Sequence, residues 1–294
     1  MSLWNDFLHS LPQLLAYGLV NAGVLALGAV GLALIYRIFN FVHFAHGDLM
    51  TLGAYWGFLF NVTLRLPWLL AFVLALPATI VCALFIDRTF YRPLRRQHSV
   101  VLLISSAGMA LVLRNLVRLF WGQSVRSYDL DFHRAASVLP GVRLTPEELV
   151  IVGFALATAL FLFVLLRYTR LGKALRALAD DVDLAAGCGV SLAWATRWTW
   201  VLGAGLAATG GIVLGVEDHL LHPLMGWNVL LSLFAAVVLG GLAHPYGALL
   251  GALIIGISQE LFAFFLPQYR PALALVVLIV LLLWRPQGLL GQRT

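Results

Sequence analysis

Apolar residues run almost without interruption through nine stretches of the chain, at 11–36, 49–64, 66–86, 99–120, 147–166, 196–216, 227–243, 247–266 and 271–284. About 20 consecutive apolar residues cross the hydrocarbon of a bilayer, and they cross as helix, because without water every backbone N–H and C=O must be paired within the segment. The pattern predicts an all-α integral membrane protein, a polytopic helix bundle with about eight or nine membrane segments. The second and seventh runs are short for a span. Glycines within the spans, as in Gly211-xxx-Gly215 and Gly247-xxx-Gly251, let helix backbones approach closely. No linker divides the chain and no repeat at a fixed period is visible, so residues 1–294 read as a single transmembrane domain.

Charged residues between the runs sort by sign. One set of loops carries Arg88, Arg92, Arg95 and Arg96, then Arg167, Arg170, Lys173 and Arg176, then Arg285 and Arg293; the alternate set carries Asp129, Asp131, Glu147 and Glu148, then Glu217 and Asp218. The positive-inside rule places the first set in the cytoplasm and the second outside. Counting backward puts the N-terminus outside if the first three runs all cross, and inside if 38–60 only re-enters. Residues 1–6 hold no Lys or Arg, so the first apolar run reads as retained and not as a cleaved signal.

The composition agrees with the runs: 62% of residues are hydrophobic and 11% charged, against roughly 25% charged in soluble domains, which excludes a water-soluble core. The net charge of +6 does not point to nucleic acid, because the arginines sit at the ends of apolar runs and not on one amphipathic surface. Cys82 lies in an apolar run and Cys188 in a polar loop, giving no disulfide framework.

Catalytic chemistry finds no footing. Gly172-Lys173 would need glycine at 167 and a hydroxyl at 174 to close a phosphate loop, and the chain has Arg167 and Ala174. Gly203 and Gly205 open a dinucleotide-like pattern, but Ala208 stands at its close and the context is a span. No H-E-x-x-H, C-x-x-C or G-x-S-x-G occurs. Any energy source must be supplied by another chain.

Three features remain informative. The cytoplasmic segment at about 167–193 carries Leu171, Leu175 and Leu178 at helical spacing, with Arg170, Lys173 and Arg176 on the other face, an acidic end at Asp180, Asp181 and Asp183, and Gly187 and Gly189 before the next span. It reads either as a helix whose leucine face docks in a partner's groove or as one that skims lipid and water. Next, His43, His46 and Asp48 flank Gly47 between two apolar runs. Ionisable groups near hydrocarbon usually face a cavity or partner, and Gly47 could break the helix beside a water-filled path, as in discontinuous transporter helices. The bland alternative is an interfacial helix cap, and a metal site lacks further ligands. Last, Glu260 sits deep in a run as either an interhelical hydrogen bond or part of a pathway; Ser105 and Ser106 could line a cavity or bond back to their own helix. Arg114 and Arg118 read as snorkelling to the interface.

The segments Ile35-Tyr36-Arg37, Phe44-Ala45-His46-Gly47-Asp48 and Leu52-Gly53-Ala54-Tyr55 resemble the signature of branched-chain amino acid ABC permeases. Further on, Thr169 to Ala177 resembles that family's cytoplasmic coupling loop, Val238-Leu239-Gly240-Gly241 its turn with Gly247, and Arg285-Pro286-Gln287-Gly288-Leu289 its C-terminus. The resemblance covers nearly the whole chain and is to the smaller permease type.

It implies a subunit in a bacterial inner membrane, surrounded by lipid, paired with a second permease as a heterodimer. It also implies two cytoplasmic ABC ATPases that hold ATP and Mg, an extracytoplasmic solute-binding protein, and no cofactor or metal on this chain. The implied cargo is a branched-chain or related amino acid, with urea or a short amide as the alternative. Pathway residues would be His43, His46, Gly47, Asp48, Ser105, Ser106 and Glu260, and coupling residues Arg170, Gly172, Lys173, Leu175, Arg176, Leu178 and Gly187. His43 stands where the family has Asn, Asp48 where it has Glu, and Cys188 where it has an aliphatic residue. A stand-alone secondary transporter would need embedded acids for coupling, and only Asp48 and Glu260 qualify.

Overall fold

The computed structural model describes residues 2–95, 97–130, 133–284 and 288–290. Arg96, Asp131, Arg285, Pro286, Gln287 and Arg293, named above, lie outside the described residues. Every apolar run becomes a helix: α1 (Ser2–Phe39), α2 (Ala45–Phe58) with a π-helical turn Leu59–Thr63, α3 (Trp68–Ile86) with a π turn Asp87–Tyr91 leading into α4 (Arg92–Leu94), and α5 (Ser99–Trp121). A hairpin of β1 (Ala136–Leu139) and β2 (Val142–Leu144) follows, then α6 (Pro146–Tyr168), α7 (Arg170–Asp180), α8 (Val182–Gly187), α9 (Leu192–Glu217), α10 (Met225–Gly240), α11 (Pro245–Ala263), a 3-10 turn Pro267–Tyr269 and α12 (Arg270–Trp284). Seven of these helices are long and apolar enough to cross a membrane. The two runs short for a span are α2 and α10, so the nine segments comprise seven helices long enough to cross and two shorter ones.

Local chemistry sets several boundaries. Thr145 accepts from Glu148 N while Thr145 N donates to the Glu148 carboxylate, a reciprocal cap that satisfies amides the first turn of α6 would leave open. Thr169, Asp181 and Ser191 cap α7, α8 and α9 in the same sense, so the cytoplasmic segment is three capped helix starts in quick succession.

α1 is the most enclosed span and runs antiparallel to α11. The Phe7 ring meets Phe264 and Phe265, and Asn21 donates to Gly256 O and Gln259 Oε1. Gln13 exchanges two 2.7 Å hydrogen bonds with the Arg143 backbone, which puts the start of α1 at the hairpin end of the bundle. Its other end lies with the basic loops: Arg95 stacks over Phe39, and Arg37 is in electrostatic reach of Asp180 and Arg176. The first three runs therefore alternate in direction, and the N-terminus sits on the side of residues 121–146.

A labelling experiment reads that orientation directly. Cys188 is exposed after α8 and should react with an impermeant maleimide only after cells are permeabilised. A cysteine at exposed Ala135 should react in intact cells, and the reverse pattern would invert the topology.

After α1 the chain turns at Asn40 (φ 50°), runs non-helically through Phe44 and starts α2 inside the bundle; after α9 it turns at His219 (φ 55°) and starts α10 the same way. Gly47 in the first turn of α2 and Gly226 in the first turn of α10 lie backbone against backbone, with no room at either for a Cβ, and Gly226 N donates to Thr51 Oγ1 at 3.0 Å. One chain spacing relates Gly31 to Gly210, Asn40 to His219, His43 to His222 and Gly47 to Gly226. At the basic end, Gly240 and Gly247 also touch, closing the turn between α10 and α11, and Leu289 N donates to Leu239 O.

Candidate functional site

Asp48 lies in the first turn of α2, and its two carboxylate oxygens each accept a 3.0 Å hydrogen bond from Arg114 of α5, from Nε and Nη2. Arg114 was expected to snorkel; instead it turns inward, its side chain 9% exposed and that of Asp48 1% exposed. A planar guanidinium fork fits a carboxylate bidentately, and that match outweighs reaching for the interface. Trp227, in the first turn of α10, lays its ring 4.4 Å from the Arg114 guanidinium carbon, a cation–π contact on the outer side of the pair. Trp227 is itself 44% exposed, and its neighbour Asn228 and the Arg114 neighbour Asn115 are exposed too. Asn228 thus presents a polar side chain on the outside of the bundle next to Trp227, while the Asn115 amide donates to Leu111 O of its own helix. Arg114 stands seven residues before the end of α5, about 10 Å of helix rise.

The two histidines sit deeper and are fully enclosed. His46 Nε2 is 2.9 Å from Gly28 O, which can only accept, so His46 carries its hydrogen on Nε2 and ties α2 to α1. His43 Nε2 is 3.1 Å from Tyr91 Oη, and its ring stands edge-on to Phe41, Tyr91 and Trp200. Tyr91 and Trp200 stack with centroids 5.3 Å apart and planes 4° apart. Nearby, Asp87 pairs with Arg95. Histidine and aromatic rings thus lock the turn 40–44 against α3 and α9. Neither His43 nor His46 reaches the exposed face beside Asp48, and no metal-holding group of three His, Cys, Asp or Glu forms among the described residues.

Other expectations shift as well. Gly47 does not break a helix: the break lies at residues 40–44, and Gly47 provides the close approach to Gly226. Ser106 accepts from Phe44 N and donates to Leu103 O, so its hydroxyl serves the backbone of that turn, while Ser105 is half-buried beside it. Glu260 pairs with Arg270 at the outer end of α11 and α12, a link between helices; just past α9, burial pushes the Asp218 carboxyl up, with Arg270 the main opposing influence.

On the cytoplasmic side, Leu175 and Leu178 are 3% and 2% exposed and Gly172 abuts the Leu165 and Leu166 carbonyls. Arg176 donates to Leu166 O. The leucine face of α7 therefore packs on its own chain and is unavailable to a partner. What projects is Arg170 and Lys173 on the other face of α7, then α8 and the start of α9 with Val182, Asp183, Leu184, Gly187, Leu192 and Trp194. The left-handed residue after α8 is Gly189 (φ 86°), not Gly187.

Sequence reasoning missed the role of Arg114 and overlooked Trp227 and Asn228. The available signal was a lone acid and a lone base in separate spans, each costly in hydrocarbon unless paired.

The model of the family "Branched-chain amino acid transport system / permease component" matches residues 14–284. The high-affinity branched-chain amino acid transport system permease protein LivH of Escherichia coli (strain K12) is 31% identical, over 98% of this chain and 97% of that protein. The corresponding BraD of Pseudomonas aeruginosa is 32% identical, over 98% of this chain and 97% of that protein. LivM of Escherichia coli (strain K12), a second permease protein of that name, is 28% identical over 55% of this chain and 41% of its own length. Among solved structures, PsaBC from Streptococcus pneumoniae in complex with Fab superposes with a TM-score of 0.53 at 15% identity, covering 96% of each chain, which is a likeness of fold. By this match along nearly its whole length, the chain belongs to the branched-chain amino acid transport permease family.

Proposed function

We propose that the chain, paired with a second and different permease, forms the translocation pathway of an ATP-driven importer that carries branched-chain amino acids across a bacterial inner membrane. The observation that carries this reading is the exposed start of α10, where Trp227 and Asn228 look outward beside a buried ion pair. The Asn228 amide is costly to leave in lipid, and a second protein surface with water between the two would cover that face. Similarity to both LivH and LivM supports a pair of unlike permeases. The chain lacks a phosphate loop, so hydrolysis falls to two separate ATPases with ATP and Mg, and delivery to an external solute-binding protein.

A secondary transporter is the weaker reading because Asp48 and Glu260, the acids on which ion coupling would depend, are each held by an arginine. The test is reconstitution of both permeases, the ATPases and the binding protein in proteoliposomes. Leucine uptake should require ATP and the binding protein together. Uptake driven by an ion gradient without ATP would overturn the proposal, as would no leucine uptake by a fully assembled, hydrolysing complex.

A further inference from the structure

We infer that Asp48, Arg114 and Trp227 form a zwitterion-reading station in the outer half of the pathway, at which the cargo's carboxylate takes the Arg114 guanidinium and its ammonium takes Asp48. The inference rests on the reading of the chain as an amino acid permease and adds residues to it. Three observations converge. The guanidinium spends Nε and Nη2 on Asp48, while among the described residues Nη1 donates to no protein acceptor, so one edge of the fork is open. What covers the pair on that side is an exposed side chain: Trp227 is 44% exposed, and its neighbour Asn228 is exposed as well. The station also lies where the first turns of α2 and α10 meet, so the carboxylate and the indole ride on the two helices that begin inside the bundle, and the guanidinium reaches them from α5.

An internal ion pair has no net charge, and its two ends match a solute bearing one positive and one negative group. A free α-amino acid can exchange partners with the pair and leave no ion unmatched. A solute carrying only one of the two charges would strand the other member of the pair, which is the costly outcome away from water. The indole beside the pair offers an apolar plane to an aliphatic side chain. The station thereby selects for both charges together, with the surrounding apolar face accepting the side chain.

A buried pair can also be purely structural, and the experiment separates the roles. Replacing both members by apolar residues of similar size, Asp48→Leu with Arg114→Met, is tolerated where a pair only fills space. In proteoliposomes holding the complete complex, the wild type is first shown to import leucine; without that, the amino acid reading has failed and not this one. The double variant should assemble with a wild-type unfolding midpoint yet import at least tenfold less leucine per ATP hydrolysed. Import per ATP within twofold of wild type would make the pair structural and overturn the station. As a second readout, saturation-transfer NMR on the solubilised complex without binding protein should show contact with leucine at least fivefold stronger than with leucinamide or 4-methylpentanoate, which lack one charge each, and no such preference in the double variant. Equal signals from the three probes on the wild type, or a preference that survives in the double variant, would refute the assignment even if the double variant assembles poorly.

Discussion

Gly226→Ala should cut the yield of folded complex at least tenfold and lower the unfolding midpoint of what remains, the largest effect expected of any single methyl group added to this chain. A Cβ at 226 would fall on the carbonyl of Gly47 and within 2.7 Å of Thr51 Oγ1. Both obstacles belong to α2, in its first and second turns, so relief requires α2 and α10 to separate. Separation breaks the Thr51 to Gly226 hydrogen bond and draws Asp48, one residue beyond Gly47, away from Arg114. Overpacking a side-chain core costs about 1–3 kcal/mol; here the yielding partner is backbone, and the cost should be at least the upper figure. Gly108→Ala is the control, since a Cβ there meets nothing within 4 Å, and its midpoint should stay at the wild-type value. Tryptophan fluorescence on heating reads both variants. An unchanged midpoint for Gly226→Ala would mean that the two helices do not meet at this point.

Much of this architecture is readable in the hydrophobic pattern because a bilayer leaves the chain few options. Each apolar run had to become helix to pair its own backbone, so the nine runs and nine of the helices coincide, and even the shortness of α2 and α10 was visible. The ends of spans were readable where side chains cap them, as at Thr145 with Glu148. Long-range partners were not readable. Asp48 and Arg114 are 66 positions apart, and nothing local distinguishes an arginine that folds back on a carboxylate from one that reaches for headgroups. The break before α2 was placed at Gly47 because glycine is the residue expected to break a helix. The turn in fact uses Asn40 in a left-handed conformation, which asparagine tolerates better than most residues. The hairpin 136–144 also went unread, being too short for its alternation to stand out. Periodicity likewise shows that α7 has an apolar face, but a face buried on its own bundle and one buried on a partner have the same period.

That ambiguity yields the second large effect. Leu184→Glu should detach the ATPases while leaving the permease folded, and Leu175→Glu should do the opposite damage. Leu184 is 68% exposed on α8, a helix fixed in place by the Asp181 side chain accepting from Leu184 N at 2.8 Å. Together with Val182, Leu192 and Trp194 it presents apolar surface on the cytoplasmic side, the kind of patch that soluble faces carry when a partner covers it. A carboxylate placed there meets water in the free permease and costs little. In a docked complex it would be desolvated without a partner, a loss of about 3 kcal/mol and therefore roughly a hundredfold in affinity. Leu175, by contrast, is 3% exposed where α7 packs on its own chain, beside the contact of Gly172 with the carbonyls that end α6. A charge there is buried in every state of the permease, so the chain itself should unfold more easily, by about 3 kcal/mol or more. Affinity capture on a tagged permease, scored for retained ATPase, and the unfolding midpoint of the permease pair resolve the two effects. If Leu184→Glu keeps its ATPases and their response to the loaded binding protein, coupling does not run through α8. If Leu175→Glu folds normally and loses only the ATPases, the leucine face must swing outward to meet them, and the packing of α7 against α6 is one of two positions that helix occupies.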